Sequence, residues 1–337
     1  MLEPDVASSF RGRRVLITGG LGFIGSNLAR ALVDVGAAVT IVDSLMPTHG
    51  GTWENVAGIA DELDVHVLDV RDTDMLHPHL RDQDVLFNLA GQTSHLDSMS
   101  DPRTDLEINC TAQLSLLEAC RQDNPGLRIV FAGTRQIYGK PRYLPVDEAH
   151  PIDPVDVNGI DKTAGEWYHL LYGRVYGLPV TVLRLTNTYG PRMRVRDARQ
   201  TFLGLWIRQA LAGEELLVFG DGRQRRDFAY VEDVVRALCL AVTSPDAVGE
   251  VFNVGGAGAH VSLEEAAQLV VRLAGSGSYR LVPFPEDRKT IDIGDYYADD
   301  RKLRRTLGWE PVVGLEDGVA ATLDYYRRHG ERYWADA

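Results

Sequence analysis

Cysteine is scarce in this chain of 337 residues: Cys110, Cys120 and Cys239 form an odd set with no paired spacing. That excludes a disulfide framework or a cysteine-based zinc site and suits a reducing compartment. Basic excess is also missing. Against 35 Lys and Arg stand 48 Asp and Glu, a formal charge of −13, which argues against nucleic acid or an anionic membrane as main partner. No apolar run approaches the roughly 18 residues that would suggest a membrane span, and the opening MLEPDVASSFRGRR carries no signal-like apolar core. Internal repeats and low-complexity tracts are absent too. The expectation is an untargeted cytoplasmic protein with no nucleic-acid or membrane partner. His77 and His79 have no third ligand nearby, so no metal site is expected.

What is present is an ordinary globular composition, 45% hydrophobic and 25% charged. From Arg14, short apolar runs alternate with helical patterns: RVLITGG, AVTIVDS, VHVLDV, DVLFNLAG, LRIVFAG and LPVTVLRLT, separated by segments long enough for crossover helices. Such alternation predicts an α/β fold, a Rossmann-type doubly wound parallel sheet. The pattern loosens after Thr186. LLVFGDGRQRRDFAYV reads as strand, turn and return, and VFNVGG as a buried strand that rejoins the first sheet. The expected division is a dinucleotide-binding domain over residues 12–186 plus about 228–256. A smaller C-terminal substrate-binding lobe takes residues 187–227 and 257–330, with a shared cleft between the two.

The strongest local signal is VLITGGLGFIGSNLARAL. A strand runs into Gly19, Gly22 and Gly25 and then into a helix beginning near Phe23 and Ile24. Glycines here permit a tight turn, close approach of backbone to a pyrophosphate, and close helix–strand packing, while the helix N-terminus offers free N–H groups. The next strand ends in Asp43, whose carboxylate accepts ribose hydroxyls and repels a 2′-phosphate, so NAD is favoured over NADP. LDVRD places Asp69 and the Val70 N–H where an adenine edge can be held. Leu89, Ala90 and Gly91 of FNLAG are placed to line the nicotinamide-side ribose.

The glycine turn, NLAG, GTRQIYG and Lys162 together resemble the extended short-chain dehydrogenase/reductase family, and more narrowly its nucleotide-sugar epimerases and dehydratases, over nearly the whole chain. The resemblance implies NAD in the first lobe and a nucleotide-diphosphate sugar, UDP-linked by family frequency, between the lobes. It also implies hydride transfer from a sugar carbon, usually C4, through a keto-sugar. Thr134 matches the family's hydroxyl position and Lys162 its lysine, which also holds the nicotinamide ribose. Asn187 matches the diphosphate-side asparagine, Arg226 the phosphate-binding arginine, and Lys289 or Arg288 a second basic contact. Phe219 is a candidate to pack on the nucleobase, and His95 lies where relatives touch sugar. Relatives dimerise through the helices in TDLEINCTAQLSLLEAC and KTAGEWYHLLYGRVYG, so a homodimer is expected.

Two departures bear on the reaction. Dehydratases of the family carry TDEVYG, whose two carboxylates eliminate water. Here Arg135 and Gln136 fill those slots, which favours an epimerase, resembling the UDP-sugar 4-epimerases and in part the paratose/tyvelose 2-epimerases. The second departure is Asn158, four residues before Lys162, where the family has a tyrosine that carries the proton. Asparagine cannot do so, and general acid–base help is typically worth about 10²–10⁴-fold. Four routes stay open: Thr134 relays the proton to water or Lys162; another side chain such as His95, Asp161 or Tyr296 enters the site; the substrate's own groups assist; or the protein binds without turning over. A dehydratase, decarboxylase or net oxidoreductase is the alternative reaction.

Overall fold

The structure is a computed structural model that describes residues 2–334 apart from residue 259. Six strands come from the first 185 residues: β1 (Arg14–Thr18), β2 (Ala38–Asp43), β3 (Leu63–Val67), β4 (Val85–Asn88), β5 (Arg128–Thr134) and β6 (Val180–Leu185). The strand Val251–Val254 joins them, pairing parallel with β6 from Val251↔Val182 to Val254↔Leu185. The resulting seven-stranded sheet is parallel throughout, in the order Val251–Val254, β6, β5, β4, β1, β2, β3. Every side chain of β4 and β6 is buried, as expected of strands covered on both faces. The expected doubly wound fold is what the chain forms.

The helices of this part of the chain include α1 (Pro4–Phe10), α2 (Phe23–Asp34), α3 (Thr73–Leu80), α4 (His95–Ser100), α5 (Pro102–Leu106), α6 (Ala112–Asp123) and α7 (Val157–Tyr176). Local chemistry sets the ends of α7. The Asp156 carboxylate accepts the Gly159 N–H at 2.7 Å, and Gly177 closes the helix in a left-handed conformation at φ 76°. Strand order reverses around β1, whose neighbours β4 and β2 lead to opposite edges. A crevice therefore opens beyond the carboxyl ends of these strands.

The smaller lobe packs helices Phe202–Leu211, Leu263–Ala274 and Leu315–His329 around a strand pair. Its arrangement differs from the expected strand, turn and return. Glu215–Phe219 pairs in parallel with the distant Ser278–Val282, while the returning Phe228–Tyr230 pairs in parallel with Asn187–Tyr189. Burial explains the separation. Leu216 and Val218 point into the second lobe's core, whereas Phe228–Tyr230 lies at the seam, with Phe228 and Tyr230 in that core and Ala229 in the core of the sheet domain. No helix among the described residues is long and apolar enough to cross a membrane.

Candidate functional site

One cleft of about 260 Å³ runs over the carboxyl ends of β1, β2, β4, β5 and β6. Its first wall is the glycine turn. Gly19 sits at φ 71°, and a Cβ added to Gly25 would lie 2.3 Å from the Gly19 carbonyl oxygen and 2.7 Å from Gly20 Cα. Only glycine therefore lets α2 start this close to β1. Gly22 caps that helix without a side-chain hydrogen bond, so the first N–H groups of α2, beginning at Phe23 and Ile24, lack intrahelical acceptors and border the cleft. Such a helix start could hold a pyrophosphate.

At the end of β2, Asp43 is nearly buried. Its two carboxylate oxygens accept the N–H groups of Leu21 at 3.0 Å and Leu45 at 2.9 Å, while burial raises its pKa. The turn is thereby tied to the strand that carries the acid. Beyond β3, Asp69 and Val70 form the adjacent wall. Asp69 is paired with Arg71 at 2.8 Å, and that hydrogen bond leads the effects holding its carboxyl below the usual range. Arg71 also reaches Glu107 at 3.1 Å. Past β4, Leu89 and Ala90 donate their N–H groups to Thr18 Oγ1 at 3.1 and 3.2 Å, which fixes the backbone leading to Gly91.

Lys162 lies behind that loop, buried, with Nζ donating to the Ala132 carbonyl at 3.2 Å and placed 5.0 Å from the centre of the Phe131 ring. Burial pulls its pKa down to about 8. A Cβ on Gly91 would come within 2.8 Å of Nζ and 2.9 Å of Asn109 Oδ1, so a side chain there would displace the tips of both. The glycine turn, Asp43 and this lysine could hold a dinucleotide in the cleft, the turn offering N–H groups to phosphates and Asp43 a carboxylate to a ribose.

Asn158 also borders the cleft, but its amide is committed elsewhere. Nδ2 donates to the Gln92 carbonyl at 2.8 Å and to Asp105 Oδ2 at 3.0 Å, and the residue is 1% exposed. Asp105 takes a further bond from Asn109 at 3.0 Å. Asp161, one turn along α7, faces the same carboxylate; burial and Asp105 raise its pKa to about 7. Position 158 is thus tied into a buried network rather than offered as a proton carrier. Thr134 also lines the cleft, its Oγ1 accepting the Gln136 N–H at 3.3 Å.

His95, the first residue of α4, stands between these walls. Its Nδ1 is hydrogen-bonded to Asp156, and the Gln136 amide lies against its Nε2 and 3.0 Å from Nδ1. Arg135, in the same short turn as Gln136, donates to Asn187 Oδ1 at 3.2 Å and lies 5.2 Å over the Tyr296 ring. Its Nη1 has no hydrogen-bond partner among the described residues.

The candidates chosen from sequence divide accordingly. Those in the glycine turn, at the ends of β2 to β4, and His95, Thr134, Asn158, Lys162 and Asn187 come together in one cleft. Arg226, Phe219 and Lys289 do not line it. Arg226 is buried behind Arg135, bonded to the carbonyls of Arg225 and Gly294 and 3.9 Å from Asp292; burial and then Arg135's charge lower its pKa to about 10. Phe219 packs on Phe284, with Arg288 5.2 Å above its ring, and Lys289 is ion-paired with Glu286. Sequence reasoning gave no role to Asp105, Gln92 and Asp156, because their meaning depends on contacts 53 to 66 residues apart. The only cue in sequence was Asp156's suitability as a helix cap. Among the described residues no group of three or more His, Cys, Asp or Glu could hold a metal ion.

Comparison with known proteins agrees with this geometry. The profile of the NAD dependent epimerase/dehydratase family matches residues 15–255. A putative UDP-glucose 4-epimerase of Methanocaldococcus jannaschii is 32% identical over 94% of this chain and 99% of its own length. UDP-glucuronic acid decarboxylase 1 of Xenopus tropicalis is 34% identical over 95% and 73% respectively. The structure of Thermotoga maritima UDP-glucose 4-epimerase with UDP-glucose superposes with a TM-score of 0.84 at 32% identity, covering 94% of this chain and 99% of that one. The chain belongs to the NAD dependent epimerase/dehydratase family, an enzyme family of extended short-chain dehydrogenase/reductase fold, and its cofactor is NAD.

Proposed function

We propose that this protein epimerises a nucleotide-diphosphate sugar, UDP-linked and at C4, through a transient keto-sugar. The observation that carries the reading is the acidity of the cleft. Among the described residues its only carboxylates are Asp43 and Asp69, both at the adenosine end. The wall around Thr134 holds Arg135, Gln136, His95, Asn158 and Lys162 instead. Elimination of water by the family's paired carboxylates has no carboxylate pair there, whereas epimerisation needs only a carrier for the proton of the oxidised hydroxyl. Similarity to the two UDP-glucose 4-epimerases supports the same choice. NAD, when bound, supplies a reversible hydride acceptor.

Lys162 would hold the nicotinamide ribose, and Thr134 would hydrogen-bond the reacting hydroxyl. The orphaned Arg135 Nη1, with Asn187 beside it and Arg226 behind, provides positive potential for the diphosphate. Phe219, with Arg288 and Lys289, forms a separate edge suited to the nucleoside end. The test is incubation with a panel of nucleotide sugars and separation of products: epimers without net NADH support the reading, and dehydrated or decarboxylated products replace it.

A homodimer is part of the proposal. Helix α7 leaves Ile160, Trp167, Leu171 and Val175 exposed along one face, with Trp167 at 56%, and Leu106 of α5 is exposed as well. Spacings of seven, four and four residues set the α7 side chains on one helix face, an apolar stripe of the kind a monomer rarely leaves to water. Light scattering at twice the monomer mass is the expected result. A cytoplasmic setting fits the three free cysteines.

A further inference from the structure

The epimerase reading leaves a proton without a carrier, and the structure narrows the candidates. Asn158 has no titratable group, and its amide is held by Gln92 and Asp105. Tyr296 does not line the cleft. It is 1% exposed, stacked on Tyr138 at 6.3 Å and covered by the Arg135 guanidinium. Asp161 is buried against Asp105 and also lies outside the cleft lining.

His95 is different. Its side chain is 35% exposed and borders the cleft, while its partner Asp156 is 2% exposed. Asp156 is fixed from two sides: one oxygen holds His95 Nδ1 and the other caps α7 through the Gly159 N–H at 2.7 Å. Burial pushes this carboxyl up, but the His95 hydrogen bond and charge, the Gly159 N–H and the Arg135 charge together hold it below its ordinary value. An ionised Asp156 keeps the proton on Nδ1 and leaves the Nε2 lone pair as the acceptor, the orientation a general base needs. In the present structure the Gln136 amide faces Nε2. Other charged groups around α4 include Asp97, paired with Arg199 at 3.3 Å, Asp101 at its C-terminus, Asp105 on α5 and His49 on the loop after β2.

We propose that His95, oriented by the positioning residue Asp156, carries the proton that the family's tyrosine would carry; this rests on the epimerase reading. The sugar hydroxyl takes Gln136's place at Nε2. Its O–H bond breaks and Nε2–H forms. The carbon–oxygen double bond forms as the C–H electron pair leaves as hydride, with NAD as oxidant. The return step reverses each of these on the sugar's other face. Because Asp156 caps the helix that bears Lys162, the proton carrier and the ribose-holding lysine are fixed to one element, as they are when a tyrosine stands at position 158.

The experiment uses the full-length, NAD-loaded protein and the nucleotide sugar that the wild type turns over. His95→Ala is expected to lower kcat by about 10²–10⁴-fold, with KM and NAD affinity within threefold. Added imidazole should restore part of the rate to His95→Ala and none to the bulkier His95→Gln. Asp156→Asn keeps a capping residue but removes the charge that sets the imidazole tautomer, so it should lower kcat and move the acid limb of the pH–rate profile. The proposal is overturned if His95→Ala keeps its kcat within threefold of wild type. It is overturned equally if the loss is insensitive to imidazole and tracks lost NAD binding. A wild type inactive on every nucleotide sugar refutes the epimerase reading and this proposal with it, whereas an active wild type with an unimpaired His95→Ala refutes this proposal alone.

Discussion

Replacing Asn158 by alanine separates a structural role at this position from a chemical one. The substitution removes the donor to the Gln92 carbonyl at 2.8 Å and the donor to Asp105 Oδ2 at 3.0 Å, both buried. Leaving a buried acceptor unpaired costs about 1–3 kcal/mol. Neither acceptor is left wholly unpaired: the Gln92 carbonyl and Asp105 Oδ1 each keep a bond from Asn109 at 3.0 Å, which places the expected total at about 1–2 kcal/mol. The cost should grow with pH, because the lost N–H favours the charged form of a carboxyl pair that holds a proton up to about 7. Urea unfolding followed by circular dichroism at pH 5 and pH 8 measures both effects. The expected result is a lower midpoint at each pH with an unchanged slope, and a larger shift at pH 8. An unchanged midpoint with abolished turnover would refute the reasoning and place Asn158 in the chemistry instead.

Other outcomes follow from the same geometry. Gly25→Ala puts a Cβ 2.3 Å from the Gly19 oxygen, so NAD affinity measured by calorimetry should fall at least tenfold; unaltered affinity would mean the turn is not the phosphate cradle. Asp161→Asn tests the carboxyl pair. Because the folded-state pKa is raised from 3.8 to about 7, this group's stabilisation is full below about pH 4 and lost as pH rises through 7. The variant should therefore lose less stability between pH 5 and 8 than wild type, and an equal loss contradicts the pairing. Glu166→Ala strands Arg184, to which Glu166 is bonded at 3.0 Å within the core. A destabilisation of about 3–5 kcal/mol is expected in denaturant melts, against under about 1 kcal/mol for a typical surface pair.

Much of the sheet domain could be read from sequence because each strand and the glycine turn advertise themselves locally. Val15, Leu16 and Ile17 are all wholly buried, and a run of that kind leading into Gly19, Gly22 and Gly25 has few other uses. The far strand Val251–Val254 was legible for the same reason. The second lobe was not, since Glu215–Phe219 takes its partner from Ser278–Val282, more than fifty residues on, and no local period encodes that choice. Asn158 shows the same limit within the site. Its identity marks the missing phenol, but only the fold brings Asp105 and Gln92 to it. His95 and Asp156, separated by 61 positions, become a pair only once α4 packs against the start of α7.

The most direct test of the proposed function is product analysis after incubating the NAD-loaded protein with UDP-glucose, UDP-glucuronate and other nucleotide sugars. The account predicts interconversion of C4 epimers, with no net NADH, no carbon dioxide and no 4-keto-6-deoxy sugar. Accumulation of any of those three, or no conversion of any sugar in the panel, would contradict it.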